Sequence, residues 1–303
     1  MRPVNNGLIY MHENTIVGAD IGGSHITAAL VDLDQRVMLQ DSLIRRRVNS
    51  HGTVSEIIEA WGAALEEVLS KAGGKKIGIA MPNPVDYEQG ISYIKGIDKY
   101  DSLYGLNIRN LLAERLGMPF GSIRMKNDAG CFMQGEVFGG AAQGFTSAIG
   151  LTLGTGVGTA RSHDGVAEDA DLWHMPFRDS IVEEYVATRW FLRRYQELCG
   201  QEVKDVKALS ERHATDNVAQ EVFREFADNL TELLVYFVAK DNPQVIVLGG
   251  NIANAEALFV PRVKENLKAH GIELPIKRAM LGEEAAIVGA ASIWSAESKK
   301  SIL

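Results

Sequence analysis

The sequence predicts an α/β protein built from two copies of one unit, with a ligand cleft between the halves. Three observations predict it. Residues 15–31, TIVGADIGGSHITAALV, read as strand, Gly-Gly turn, strand, and residues 149–160, IGLTLGTGVGTA, repeat that shape. Both hairpins are followed by helix, strand, helix, strand and helix patterns in the same order. The chain has 303 residues, which suits two domains of roughly 150 residues each.

The elements follow in order. The first half opens with strands over 15–22 and 25–32, and a third strand is expected over 36–45. Residues 53–72 carry apolar side chains at 54, 57, 58, 61, 64, 65, 68 and 69, which is helical spacing, and Gly73-Gly74 ends the run. A buried strand at 76–81 precedes Pro82 and Pro84, which force an irregular turn. A helix at 108–116, a strand at 122–125 and a helix from about 129 complete the unit. In the second half, strands at 148–153 and 157–163 precede helical regions that include 181–198 and 218–240. A buried strand at 245–248, a helix at 256–269, a strand at 276–280 and an alanine-rich helix at 284–295 close it. The expected division places a small domain at 15–126 and a larger one at 127–283, with a C-terminal helix of about 284–303 packing back on the first. Ligands of two-domain α/β proteins favour the cleft between the halves.

Composition bounds the function. The chain is 46% hydrophobic and can bury a large core. Its net charge of −8 argues against nucleic acid and a membrane surface as partners. The two cysteines, Cys131 and Cys199, form no metal-type pair and suit a reducing cytoplasm. The N-terminal stretch has no apolar run of signal-peptide length, and no segment approaches the ~18 apolar residues of a spanning helix.

The chemistry-bearing residues fall in four motifs. In DIGGSH, Asp20 ends a strand, Gly22 and Gly23 make the turn, and Ser24 adds a hydroxyl. Glycines let backbone N–H groups approach a phosphate, and Asp20 can hold Mg²⁺ directly or through water. A plain hairpin turn explains the glycine pair without any ligand. In LGTGVG, Gly154, Thr155 and Gly156 form a second such turn, and because a strand follows, it is not a dinucleotide fingerprint. Asn127-Asp128 ends a strand and opens a helix, where capping is the plain explanation for Asp128. A carboxylate there can also accept a proton from a hydroxyl that attacks a phosphoryl group, with Asn127 orienting the same hydroxyl. Gly249 and Gly250, ending a buried strand in VIVLGGNIANA, can receive an adenine ring or simply connect strand to helix. Asp171, His174 and Glu183, near Trp173, can hydrogen-bond sugar hydroxyls, although a histidine beside a tryptophan is commonly structural. Taken together, the four motifs describe a nucleotide-dependent phosphotransferase.

From 15 to 294 the ordered motifs resemble the ROK family (repressors, open reading frames and sugar kinases) of the hexokinase/actin/Hsp70 ATPase superfamily. DIGGSHITAALVD is similar to the family's first phosphate motif and LGTGVG to its second. KNDAGCFMQGE at 126–136 is similar to the segment with the catalytic aspartate, here Asp128, and PQVIVLGGNIA to the adenosine motif. The resemblance implies two RNase H-like (actin-like ATPase) domains. It also implies ATP-dependent phosphorylation of a hexose or hexose derivative with Mg²⁺, in a cytoplasmic homo-oligomer.

Departures from the pattern are informative. The family's Glu-x-Gly-His becomes Asp171-Leu172-Trp173-His174, and its CxCGxxGCxE zinc stretch is missing between HMPFRDS and IVEEYVATRW. Only His174 remains of that local ligand set, so no zinc site is expected. Glu183 aligns with the glutamate that contacts sugar in family kinases. Gly96, in SYIKGIDKYDSLYG at 92–105, stands near the position of a sugar-contacting Asn. Only 14 residues precede Thr15, without a helix-turn-helix pattern, so DNA binding is not expected. Two readings stand: a glucokinase-like enzyme with Asp128 as general base, and a non-catalytic sugar or nucleotide sensor of the same fold, which the altered 171–174 segment would suit.

Overall fold

The computed structural model describes residues 14–96 and 99–295. They form two compact units, one from the described residues of Met1–Gly139 and Glu283–Leu303, the other from Gly140–Gly282.

In the first unit β1 (Thr15–Ile21), β2 (His25–Asp32) and β3 (Val37–Arg47) form an antiparallel meander. Helix α1 (Val54–Leu69) starts at a capping box: Thr53 Oγ1 accepts from Glu56 N–H, and Glu56 Oε2 accepts from Thr53 N–H. Its apolar stripe buries Ile57, Ile58, Trp61, Ala64, Leu65 and Val68 against the sheet. Strand β4 (Ile77–Met81) joins β1 in parallel. A small ribbon, β5 (Val85–Asp86) and β6 (Ile91–Ser92), leads to α2 (Ile108–Leu116), which ends at Gly117 in the left-handed conformation. Strand β7 (Ile123–Asn127) then pairs in parallel with β4 and runs into α3 (Asp128–Gly139).

The second unit repeats this plan. Strands β8 (Ser147–Leu153), β9 (Val157–His163) and β10 (Val166–Asp169) form the meander. A ribbon, β11 (Pro176–Phe177) and β12 (Ser180–Ile181), precedes α4 (Glu183–Val186), α5 (Thr188–Cys199), α6 (Val206–Arg212) and α7 (Asn217–Asp241). Strand β13 (Val245–Gly249), α8 (Val260–Ala269) and β14 (Ile276–Arg278) complete the sheet, and α9 (Ala285–Ser292) returns to the first unit. The sheet orders β3-β2-β1-β4-β7 and β10-β9-β8-β13-β14 are the same topology twice. The second core is aromatic, with Phe191, Phe223, Phe226, Phe237 and Phe259 buried; Phe191 and Phe226 lie 4.5 Å apart, centroid to centroid.

Three sequence expectations change. The 181–198 region is not one helix: Ala187 is extended (φ −101°, ψ 169°), because Thr188 donates both its N–H and its hydroxyl to Gly154 O. The 256–269 region is a 3-10 turn over Asn251–Leu258 and then α8. The division expected after 126 would put α3 in the second unit, yet its packing puts it in the first. A Cβ on Gly135 would stand 2.1 Å from Ala285 O, and one on Gly289 would stand 1.8 Å from Cys131 O, so α3 and α9 meet backbone to backbone. Gly18 and Gly78 admit α9 to β1 and β4 in the same way. The expected continuation of this helix to 303 lies outside the described residues beyond 295. Among the described residues no helix is long and apolar enough to cross a membrane.

Candidate active site

The candidate residues of the first unit lie at the end of β1, its turn, and the β7–α3 junction. Gly22 N–H donates to His25 O at 2.9 Å, closing a hairpin whose tip is Gly23-Ser24. Ser24 Oγ lies 2.8 Å from His25 Nδ1. Neither glycine has a positive φ. A Cβ on Gly22 would come no nearer than 3.7 Å to His25 O, and one on Gly23 no nearer than 3.6 Å to Lys99 Cδ. Among the described residues, packing therefore requires glycine at neither position, and none of them comes nearer than 3.6 Å to a methyl added there. Tyr100, fully buried, donates its hydroxyl to Gly22 O at 2.6 Å and meets the edge of Trp61 at 5.2 Å.

At the β7–α3 junction the capping role falls to Asn127. Its Oδ1 accepts from Gly130 N–H at 2.9 Å, leaving the amide NH₂ for another acceptor. Asp128 Oδ1 accepts from its neighbour, Ala129 N–H, at 2.8 Å. Burial pushes the Asp128 carboxyl up from its ordinary range, opposed by the Ala129 N–H and by the charge of Lys99. Burial likewise pushes Asp20 up to about 7; the Asp128 charge adds to this, Arg45 opposes it, and Glu283 adds to it. A cation beside Asp20 would offset both its desolvation and the neighbouring Asp128 charge. Lys99 was not singled out by the sequence. The only signal for it was its place in the 92–105 stretch that departs from the family pattern.

The candidate residues of the second unit are held differently. Gly154 N–H donates to Gly156 O at 3.0 Å, so Thr155 caps a tight turn, and Gly154 O is held by Thr188. Glu183 fills the space beside the turn: Oε2 accepts from Val157 N–H at 3.0 Å, and Oε1 pairs with Arg189. A Cβ on Gly156 would stand 2.7 Å from Glu183 Oε2, so this glycine is required by that carboxylate. The backbone holds Glu183 in turn, since its N–H donates to Trp173 O at 3.0 Å. Asp171, at φ +53°, reaches His174 Nδ1 with Oδ1 at 3.4 Å, and both side chains are more than half exposed. The Trp173 and His174 rings pack edge to face at 4.9 Å. Gly249 ends β13, while Gly250, at φ +82°, passes so near β8 that a Cβ would stand 2.3 Å from Leu153 O. Its glycine is a packing requirement, whatever else the turn receives. Among the described residues no cluster of three or more His, Cys, Asp or Glu side chains could hold a metal ion.

Each unit thus gathers its own predicted residues: Asp20, Gly22, Gly23, Ser24, Asn127 and Asp128 in one, and Gly154, Thr155, Gly156 with Glu183 in the other. The ROK family model matches residues 16–173 and 176–297. An N-acetyl-D-glucosamine kinase of Mannheimia succiniciproducens is 26% identical, over 92% of this chain and 99% of its own. A glucokinase of Thermotoga maritima is 25% identical, over 92% of this chain and 96% of its own. Among solved structures, the ROK hexokinase from Thermus thermophilus has a TM-score of 0.79 at 26% identity, covering 94% of this chain and 99% of that one.

Proposed function

The chain belongs to the ROK family, and on that premise we propose that it transfers a phosphoryl group from ATP to a hydroxyl of a hexose or hexose derivative. The kinases among its relatives support this reading over the sensor, which they do not favour. The observation that carries it is the division of labour at β7–α3. Asn127 takes the Gly130 N–H of the helix terminus while Asp128 takes the neighbouring Ala129 N–H through Oδ1, and burial leaves Asp128 a carboxylate of raised basicity.

In this reading Asp128 is the general base and takes the proton of the attacking hydroxyl. The free NH₂ of Asn127 orients that hydroxyl. Gly22, Gly23 and Ser24 offer backbone N–H groups and a hydroxyl to the nucleotide phosphates, and Gly154, Thr155 and Gly156 form the second such turn. The turn at Gly249 and Gly250 receives the adenine side. Asp171, His174 and Glu183 bind sugar hydroxyls, with Glu183 fixed in place by Val157 and Arg189. Asp20 is the residue that would hold Mg²⁺, directly or through water, and the ion when bound would offset phosphate charge. We also assign the chain to the cytoplasm as a homo-oligomer, without nucleic-acid or membrane partners and without structural zinc.

A coupled ADP-release assay across glucose, mannose, fructose and the N-acetylated hexosamines tests the proposal. At least one sugar should raise ADP formation well above the sugar-free rate. EDTA should abolish that activity, and Mg²⁺ alone should restore it. No stimulation by any sugar would support the sensor. Activity restored only by zinc, or one zinc per chain by metal analysis, would overturn the metal assignment.

A further inference from the structure

Lys99 lies beside the first-unit turn for reasons written in its neighbour. Tyr100 is fully buried, at φ +59°, with its N–H on Ser50 O at 2.8 Å and its hydroxyl on Gly22 O at 2.6 Å. These contacts fix the backbone at 100 to the turn itself. The Lys99 stem therefore runs past the turn, its Cδ 3.6 Å from where a Cβ on Gly23 would stand. The ammonium beyond it acts by its charge on the Asp128 carboxylate. Lys99 is half-buried, and among the described residues it makes no hydrogen bond or ion pair. Arg45, the cation whose charge acts on Asp20, is paired with Glu283 at 3.5 Å. An ammonium held beside the turn and without a partner among the described residues is available to an anion bound there.

The phosphate turn and the base mark the two ends of a phosphoryl transfer; the Lys99 stem lies beside the first, and its charge acts on the second. We propose that Lys99 binds the transferred phosphoryl group, donating from Nζ to its oxygens. The proposal rests on the kinase reading above. In the step itself the acceptor oxygen loses its proton to Asp128 and bonds to the terminal phosphorus. The bond from that phosphorus to the β,γ-bridging oxygen breaks, and ADP leaves with the electron pair. Lys99 stays protonated throughout and offsets charge on the oxygens in flight.

The test compares wild type, Lys99→Met, Lys99→Gln and Lys99→Arg as full chains, by calorimetric titration with AMPPNP and with ADP in Mg²⁺ buffer. A contact to the terminal phosphoryl predicts that Lys99→Met and Lys99→Gln weaken AMPPNP at least tenfold while ADP stays within threefold. Lys99→Arg should recover most of the loss. In turnover, kcat should fall more than tenfold in the Met and Gln variants, with the sugar KM within threefold. An unchanged AMPPNP-to-ADP ratio in Lys99→Met and Lys99→Gln would overturn the proposal, as would equal loss of both nucleotides. Wild type that binds neither nucleotide and phosphorylates no sugar would refute the kinase reading, and the Lys99 role with it. Wild-type binding with an unchanged ratio in the variants would refute the Lys99 role alone.

Discussion

The turn at Gly22–Ser24 and the turn at Gly154–Gly156 look alike in sequence and differ in what surrounds them. Both join the first two strands of a meander within the same sheet topology. At the first, an added methyl on Gly22 or Gly23 meets nothing nearer than 3.6 Å. At the second, Glu183 sits against Gly156, accepts from Val157 N–H and is clamped by Arg189, while Thr188 holds Gly154 O. The same Gly-rich hairpin is thus left accessible in one unit and lined by a fixed carboxylate in the other. Among the described residues, glycine at the first turn has no structural cause, which points to a ligand. Glycine at Gly156 has one.

Asp128→Asn carries the largest expected effect. It keeps size and removes basicity, so kcat should fall about 10²–10⁴-fold with sugar affinity within threefold. Activity within threefold of wild type would remove Asp128 from the mechanism. Gly156→Ala comes next. The methyl must displace Glu183 from Val157 N–H, so sugar KM should rise about tenfold and the unfolding temperature should drop, since overpacking costs about 1–3 kcal/mol. Gly23→Ala should separate the two turns. Its stability should stay within about 0.5 kcal/mol of wild type, because only the Lys99 stem is near, while the KM for ATP rises and that for sugar does not. Loss of stability at Gly23 equal to that at Gly156 would erase the distinction.

The smallest effect is a pH dependence. Asp20 is pushed up to about 7, so the folded state holds its proton where the unfolded chain has released it. That contribution is fully present below the unfolded pKa near 3.8, and it declines as pH rises toward 7. Asp20→Asn, which cannot ionise, should therefore unfold at a higher temperature than wild type at pH 8 in EDTA. A gain of ~1 kcal/mol in a protein of this size is about 2–4 °C. At pH 4.5 the difference should shrink toward zero. A difference that does not change with pH would contradict the burial of this carboxylate.

Much of this was legible in the chain. Hairpin strands and the α1 stripe are local patterns, and local patterns leave a periodic trace. Asn127-Asp128 was legible as a pair but not as a partition, because which side chain caps a helix depends on the geometry of one turn. The break at Ala187 was hidden because its cause, Gly154 O, lies 34 residues upstream of Thr188. The place of α3 in the first unit was hidden for a similar reason. Its glycine face meets α9, and no periodicity within 128–139 names so distant a partner. Lys99 depends on Tyr100 reaching Gly22, 78 residues away.

The most direct measurement of the central claim is ³¹P NMR of the purified protein with ATP, Mg²⁺ and each sugar in turn. The account predicts that, for at least one hexose or hexosamine, the γ-phosphate signal of ATP is replaced by ADP and a sugar phosphomonoester in equal amounts, and that Asp128→Asn suppresses both. ATP left intact with every sugar, or converted only to ADP and inorganic phosphate, would contradict it.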